Sequence, residues 1–313
     1  MQWRCQPAPN VVIADLHRMA ERCAIQAEEV SVTEENSTIL TRRNFGKAIS
    51  TGAALLLSGS RDVFSQEPAI KNVVLTHGAF ADGSSWSKVI PLLEHHGLNV
   101  TAVQNPLTSL ADDVATTRRL LAQQDGPTVL VGHSYAGFVI TEAGNAPNVA
   151  ALVYVSSYGP DLGESHDGMV KRFPAPAGIP AIRKDADGFL WIEREKFREA
   201  FAHDVDASYA RILATVQKPV AKMCFGVPVS APAWKSKRSW FLISTEDRLI
   251  NPDLQRFMAK RMGSVVRTVA SSHASLISHP EETANLILDA ARTNPPTGGL
   301  PTAAEEPGDH FRW

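Results

Sequence analysis

Three side chains of this sequence could together perform acyl transfer: a serine, a histidine and an aspartate, each set just past an apolar run. Ser134 follows "TVLVGH", Asp247 follows "WFLISTE" and His273 follows "VVRTVASS". A serine hydroxyl is a weak nucleophile until a base takes its proton. A histidine can take it, and a carboxylate on the other ring nitrogen holds the tautomer and stabilises the cation. Attack on an ester carbonyl creates an oxyanion, which two backbone N–H groups can receive. Tyr135, at the start of the helix after Ser134, offers one. Ala79, in "HGAFADGSSW" after the first apolar run, offers the other, with Gly78 permitting a tight turn.

Each assignment has a plainer rival. Ser134 could be an N-cap, the commonest job of a serine before a helix. Glu246 competes with Asp247; the Arg248-Leu249-Ile250 run and the helix opening at Asn251-Pro252 favour Asp247. His279 competes with His273, but it precedes Pro280 and the final helix, whereas His273 directly follows the last strand. His77, His95 and His96 read as strand-end or surface residues. The turn around the serine is itself imperfect. In "VLVGHSYAGFVI", Gly132 and Ser134 fit G-x-S-x-G, but the last position is Ala136 and the glycine comes one residue late, at Gly137. We expect mild crowding there and retained function.

The elements that must hold these residues form a strand–helix alternation. Apolar runs at 72–77, 98–104, 127–133, 149–157, 239–245 and 264–270 read as strands. Helices are expected over 84–97, 109–124 (with Ser109 as N-cap), 134–145, 252–263 and 280–293. Unalternating strands separated by helices imply an α/β fold, a parallel sheet covered on both faces. Open sheets of this kind bind ligands at the carboxyl ends of their strands, where the three residues lie. From about 159 to 237 the alternation breaks into an insertion with two expected helices, near 193–203 and 205–217. Its aromatics, among them Phe173, Phe201 and Phe225, are expected to form cap core and part of an apolar pocket.

"HGAFADGSSW", "VGHSY", "TEDRLINPDLQRFMAKR" and "SSHASLISHP" carry a resemblance to the α/β-hydrolase superfamily, over about 71–293. The chain resembles small bacterial serine hydrolases related to the plant methylesterase and hydroxynitrile-lyase group. The resemblance implies a mostly parallel sheet of about eight strands with a mainly helical cap. It also implies Ser134, Asp247 and His273 as a triad, with Ala79 and Tyr135 as the oxyanion hole. The lyases of that group carry threonine where this chain has Gly78, and lysine where it has Ala274. Both differences point to hydrolysis, and the aromatic cap suggests small to medium hydrophobic esters. Ser134 excludes the aspartate nucleophile of epoxide hydrolases and dehalogenases.

Composition gives no sign of a partner beyond the small-molecule ester that the triad and the resemblance imply. A net charge of −2 gives no reason to expect nucleic acid. The three cysteines show no zinc spacing, so no metal is expected, and no dinucleotide or P-loop motif calls for a cofactor. No apolar run reaches the roughly 18 residues of a spanning helix, so no stable membrane anchor is expected. "TRRNFGKAISTGAALLLSGS" places Arg42-Arg43 before a short apolar stretch, resembling a twin-arginine export signal. Residues 1–65 then read as an upstream extension plus that signal, with cleavage near Ser65. This implies contact with the twin-arginine translocation machinery and a periplasmic or secreted protein. Residues 66–293 read as the folded domain, and 294–313 as a disordered tail of linker composition.

Overall fold

The computed structural model describes residues 68–293. The twin-arginine stretch, the cleavage position and the tail lie outside the described residues.

Six strands form one parallel sheet: β1 (Asn72–Thr76), β2 (Asn99–Ala102), β3 (Thr128–His133), β4 (Val149–Val155), β8 (Arg238–Ser244) and β9 (Val265–Val269), in the order β2-β1-β3-β4-β8-β9. The central strands β1 and β3 are buried at every residue, as continuous apolar runs require. Register is direct: Val73 of β1 pairs with Val129 of β3, and Val153 of β4 with Trp240 of β8. The sheet has six strands rather than the eight that the resemblance implied. The described sequence has six apolar runs of strand type flanked by helices, and each becomes a strand.

One further expectation is corrected. The helix expected over 84–97 is split into a 3-10 turn, Gly83–Trp86, and a helix, Ile90–His95. Pro91 lies in the first turn of that helix, where its missing N–H costs nothing, and could not have continued a helix from 84. The insertion is mainly helical, as expected, and also holds a small sheet. It carries helices Arg194–Phe201 and Ala207–Val216, near the expected positions, but adds an antiparallel sheet of β5 (Ile182–Lys184), β6 (Phe189–Ile192) and β7 (Val220–Ala221). The β5–β6 hairpin closes because Asp185 Oδ1 accepts the Phe189 N–H at 2.8 Å and Gly188 adopts a φ of +87°. A short "KDADGF" turn inside a charged segment gave little strand periodicity to read.

Because all six strands of the main sheet run the same way, β3, β8 and β9 deliver their following loops to one edge. A buried serine chain binds these loops together. Ser156 Oγ meets Ser244 Oγ at 2.6 Å and Ser275 Oγ at 2.7 Å, and Ser244 Oγ meets Ser271 Oγ at 2.9 Å. The loop carrying His273 is thus tied to the ends of β4 and β8 on both sides of the histidine.

Candidate active site

The strand β3 ends in a turn that raises Ser134. Its φ is +56°, in the left-handed region, which costs a non-glycine residue about 1–3 kcal/mol. The surroundings hold it there. Its N–H donates to the Val155 carbonyl at 3.2 Å, and its own carbonyl accepts from Gly137 N–H at 3.0 Å, Tyr158 N–H at 3.2 Å and Ser157 Oγ at 2.8 Å. Ala136 opens the helix Ala136–Ala143 and is fully buried without displacing it. The demanding position is the next one. A Cβ on Gly137 would stand 1.8 Å from the Tyr158 carbonyl oxygen, so this position excludes any side chain. On the other side, a Cβ on Gly132 would stand 2.9 Å from the Ala136 carbonyl oxygen. The late glycine is therefore the one that this turn needs.

The three expected side chains meet. Asp247 Oδ2 lies 2.8 Å from His273 Nδ1, and His273 Nε2 lies 2.8 Å from Ser134 Oγ. A carboxylate only accepts, so Nδ1 carries the ring proton and Nε2 is left to accept the Ser134 hydroxyl. Asp247 is oriented in turn. Its Oδ1 accepts the N–H groups of Leu249 and Ile250 at 2.8 and 2.9 Å, and its Oδ2 accepts from Gln255 Nε2 at 2.9 Å. Gln255 is held by accepting the Ser244 N–H at 3.2 Å. Its place in this relay carried no sequence signal. All three members of the row are buried. The rivals lie apart from it: Glu246 is exposed, and His279 faces Asp204 at 3.9 Å.

The insertion touches the row as well. The Phe201 ring meets His273 edge-on at 5.0 Å, and Asp204 Oδ2 accepts the Ser272 N–H at 3.0 Å. His133, just before Ser134, donates from Nε2 to the His273 carbonyl at 2.9 Å. Burial pushes the His133 pKa well below its ordinary value, so it serves as a neutral donor.

His77, read from sequence as a strand-end or surface residue, is fully buried and wired into the first loop. Its Nδ1 donates to the Gly78 carbonyl at 2.9 Å, and its Nε2 accepts the Asn105 N–H at 2.9 Å. Burial lowers its pKa to about 4, which keeps that tautomer neutral. Gly78 itself must be bare, since a Cβ there would stand 2.7 Å from Ser134 Cβ. The backbone N–H groups of Ala79 and Tyr135 donate to no protein acceptor among the described residues. Both residues line the same cavity as Ser134. Tyr135 is anchored by its side chain, whose hydroxyl donates to buried Asp113 at 2.9 Å. The other Asp113 oxygen accepts the Leu107 N–H at 2.8 Å.

The cavity measures about 430 Å³. Phe173, Phe225, Ile182, Leu190, Leu249 and Leu254 give it apolar walls, much of them from the insertion. An arrangement of this kind can pass a proton from Ser134 Oγ to His273 Nε2, with the Asp247 carboxylate facing the resulting cation. Among the described residues, no group of three or more His, Cys, Asp or Glu side chains could hold a metal ion.

A parallel sheet with this buried row at its edge defines the class. The chain belongs to the alpha/beta hydrolase family, whose model matches residues 73–286. Among named relatives, it is 27% identical over 249 residues to the pyrethroid hydrolase of Sphingobium wenxiniae, covering 71% of this chain and 88% of that one. It is 23% identical over 258 residues to methylesterase 9 of Arabidopsis thaliana, covering 72% of this chain and all of the relative. The crystal structure of polyneuridine aldehyde esterase matches with a TM-score of 0.61 at 19% identity, over 70% of this chain and 98% of that one. The last likeness is one of fold. The two relatives by sequence named above are a hydrolase and an esterase.

Proposed function

We propose that the protein is a serine carboxylesterase acting on small to medium hydrophobic esters. Ser134 Oγ attacks the ester carbonyl carbon while His273 Nε2 takes its proton. The oxyanion is received by the N–H groups of Ala79 and Tyr135. When the intermediate collapses, the C–O bond to the alcohol breaks and His273 returns the proton to the leaving oxygen. Water, deprotonated by the same nitrogen, then releases the acid from acyl-Ser134. Asp247 keeps the ring in register throughout.

The observation that carries this reading is the double contact of His273, 2.8 Å to Ser134 and 2.8 Å to Asp247, in a row shielded from water. The apolar cavity beside it supports an apolar ester. The bare Gly78 and the small Ala274 disfavour cyanohydrin cleavage, for which the related lyases carry threonine and lysine at these places. Hydrolysis of p-nitrophenyl acetate tests the proposal: wild type should turn over, and Ser134→Ala should lose at least about a thousandfold in kcat. Equal inertness of the two proteins favours a non-catalytic binding role instead. Cyanide release from mandelonitrile favours the lyase.

We also propose export through the twin-arginine pathway, on the strength of Arg42-Arg43 and the apolar stretch that follows. The N-terminal mass of protein recovered from a bacterial periplasm tests it. A start near residue 66 is expected; retention of the whole chain in the cytoplasm overturns it.

A further inference from the structure

The cavity beside Ser134 is largely apolar, but one wall carries a directed chain of polar groups. Lys222 Nζ donates to both oxygens of Asp167, at 2.8 and 2.6 Å. Asp167 Oδ1 lies 3.2 Å from His166 Nδ1, and His166 Nε2 lies 3.0 Å from the Tyr158 hydroxyl. The carboxylate can only accept, so Nδ1 carries the His166 proton and Nε2 accepts from the tyrosine. The Tyr158 proton is therefore committed to His166, and its oxygen keeps a lone pair for another donor. The His166 ring is enclosed by Phe225 at 4.5 Å and Tyr158 at 4.9 Å. Both Tyr158 and His166 line the cavity. Tyr158 is also fixed to the nucleophile turn, since its N–H donates to the Ser134 carbonyl. Burial holds its phenol well above the ordinary range, so it stays a neutral hydroxyl.

An acceptor of set direction in an apolar cavity selects ligands by a hydrogen bond they can donate. We propose that Tyr158, oriented by His166 and Asp167, is a substrate-recognition residue whose oxygen accepts from a hydroxyl or N–H group on an otherwise apolar ester. The substrate class becomes an apolar, chiefly aromatic ester bearing one such donor. This rests on the esterase reading of Ser134. The plainer use of the chain, pinning the insertion to the end of β4, makes no such selection.

The test uses methyl 3-phenylpropanoate and its 2-, 3- and 4-hydroxyphenyl counterparts. Binding is measured by calorimetry to the full chain carrying Ser134→Ala, and to the same protein with Tyr158→Phe added. At least one hydroxylated ester should bind about tenfold tighter than the parent. Tyr158→Phe should abolish that preference, all four esters then binding about as the parent does, while the melting temperature falls modestly because His166 Nε2 loses its donor. Equal binding of all four esters, no binding of any, or an equal loss for all on Tyr158→Phe overturns the proposal. The esterase reading is judged separately, by whether protein with Ser134 intact hydrolyses these esters. If it does not, while the binding preference stands, the esterase reading falls and the recognition residue survives.

Discussion

The Nδ1–H of His77 donates to the carbonyl oxygen of Gly78 at 2.9 Å. A trans peptide is planar, so a carbonyl held on one side turns the following N–H, that of Ala79, to the other. The histidine tautomer is fixed in turn by the Asn105 N–H on Nε2. His77→Ala removes the hold, and the peptide gains freedom to rotate away. We expect kcat for ester cleavage to fall about 10- to 100-fold with KM nearly unchanged, because the oxyanion exists only along the reaction path. Steady-state kinetics check this; a loss confined to KM contradicts it.

The turn at Ser134 separates two neighbours. Ala136→Gly should retain esterase activity and cost no more than about 1 kcal/mol in helix propensity. Gly137→Ala places a methyl carbon 1.8 Å from the Tyr158 carbonyl oxygen, which requires the backbone to move. Activity should drop at least about a hundredfold, with a loss of more than about 3 kcal/mol or failure to fold. Soluble yield, urea unfolding and turnover of the two variants measure the contrast; similar behaviour of the pair contradicts it.

Stability should respond to acid through the buried histidines. His77 titrates near 4 in the folded protein against 6.5 ordinarily, because burial disfavours its cation. Between those values the unfolded chain binds the proton and the folded one does not, so stability present at neutral pH is lost as pH falls from 6.5 toward 4. His133 acts in the same direction. Asp113 acts oppositely: burial raises it from 3.8 to about 6, so its contribution declines as pH rises through that window. Urea unfolding from pH 7 to 4.5 should show the histidines prevailing. In His77→Gln, the acid loss should shrink by up to about 3 kcal/mol. Parallel pH curves for variant and wild type contradict the assignment.

Gln255 donates to Asp247 and accepts from the Ser244 N–H, all within the core. Gln255→Leu leaves the Ser244 N–H unmatched and Asp247 short of one donor. A loss of about 1–3 kcal/mol is expected, with kcat about tenfold lower. Unchanged kcat in a folded variant shows that the two backbone N–H groups on Asp247 hold it unaided.

What could be read from the sequence divides along a physical line. Ser134 and Asp247 each follow a buried parallel strand and His273 follows the exposed edge strand β9; parallel strands end at one edge, so sequence position indicated spatial proximity. The same logic located the six strands. His77 gave no such indication, because a histidine ending a strand looks alike whether it faces solvent or a backbone carbonyl. Gln255 and the chain from Lys222 to Tyr158 act through side-chain contacts, which periodicity does not encode even where the partners are only eight residues apart. The role of Gly137 depends on the carbonyl of Tyr158, a residue of the next strand–loop unit. The motif letters showed a misplaced glycine; only the packing showed why it stands there.

In the proposed reaction Ser134 carries the acyl group. Reaction with a fluorophosphonate followed by peptide mass mapping tests it most directly. One adduct is expected, on the Ser134 hydroxyl, formed rapidly in wild type and at least about a hundredfold more slowly in His273→Ala. An adduct on another residue, or equal labelling rates in the two proteins, would contradict it.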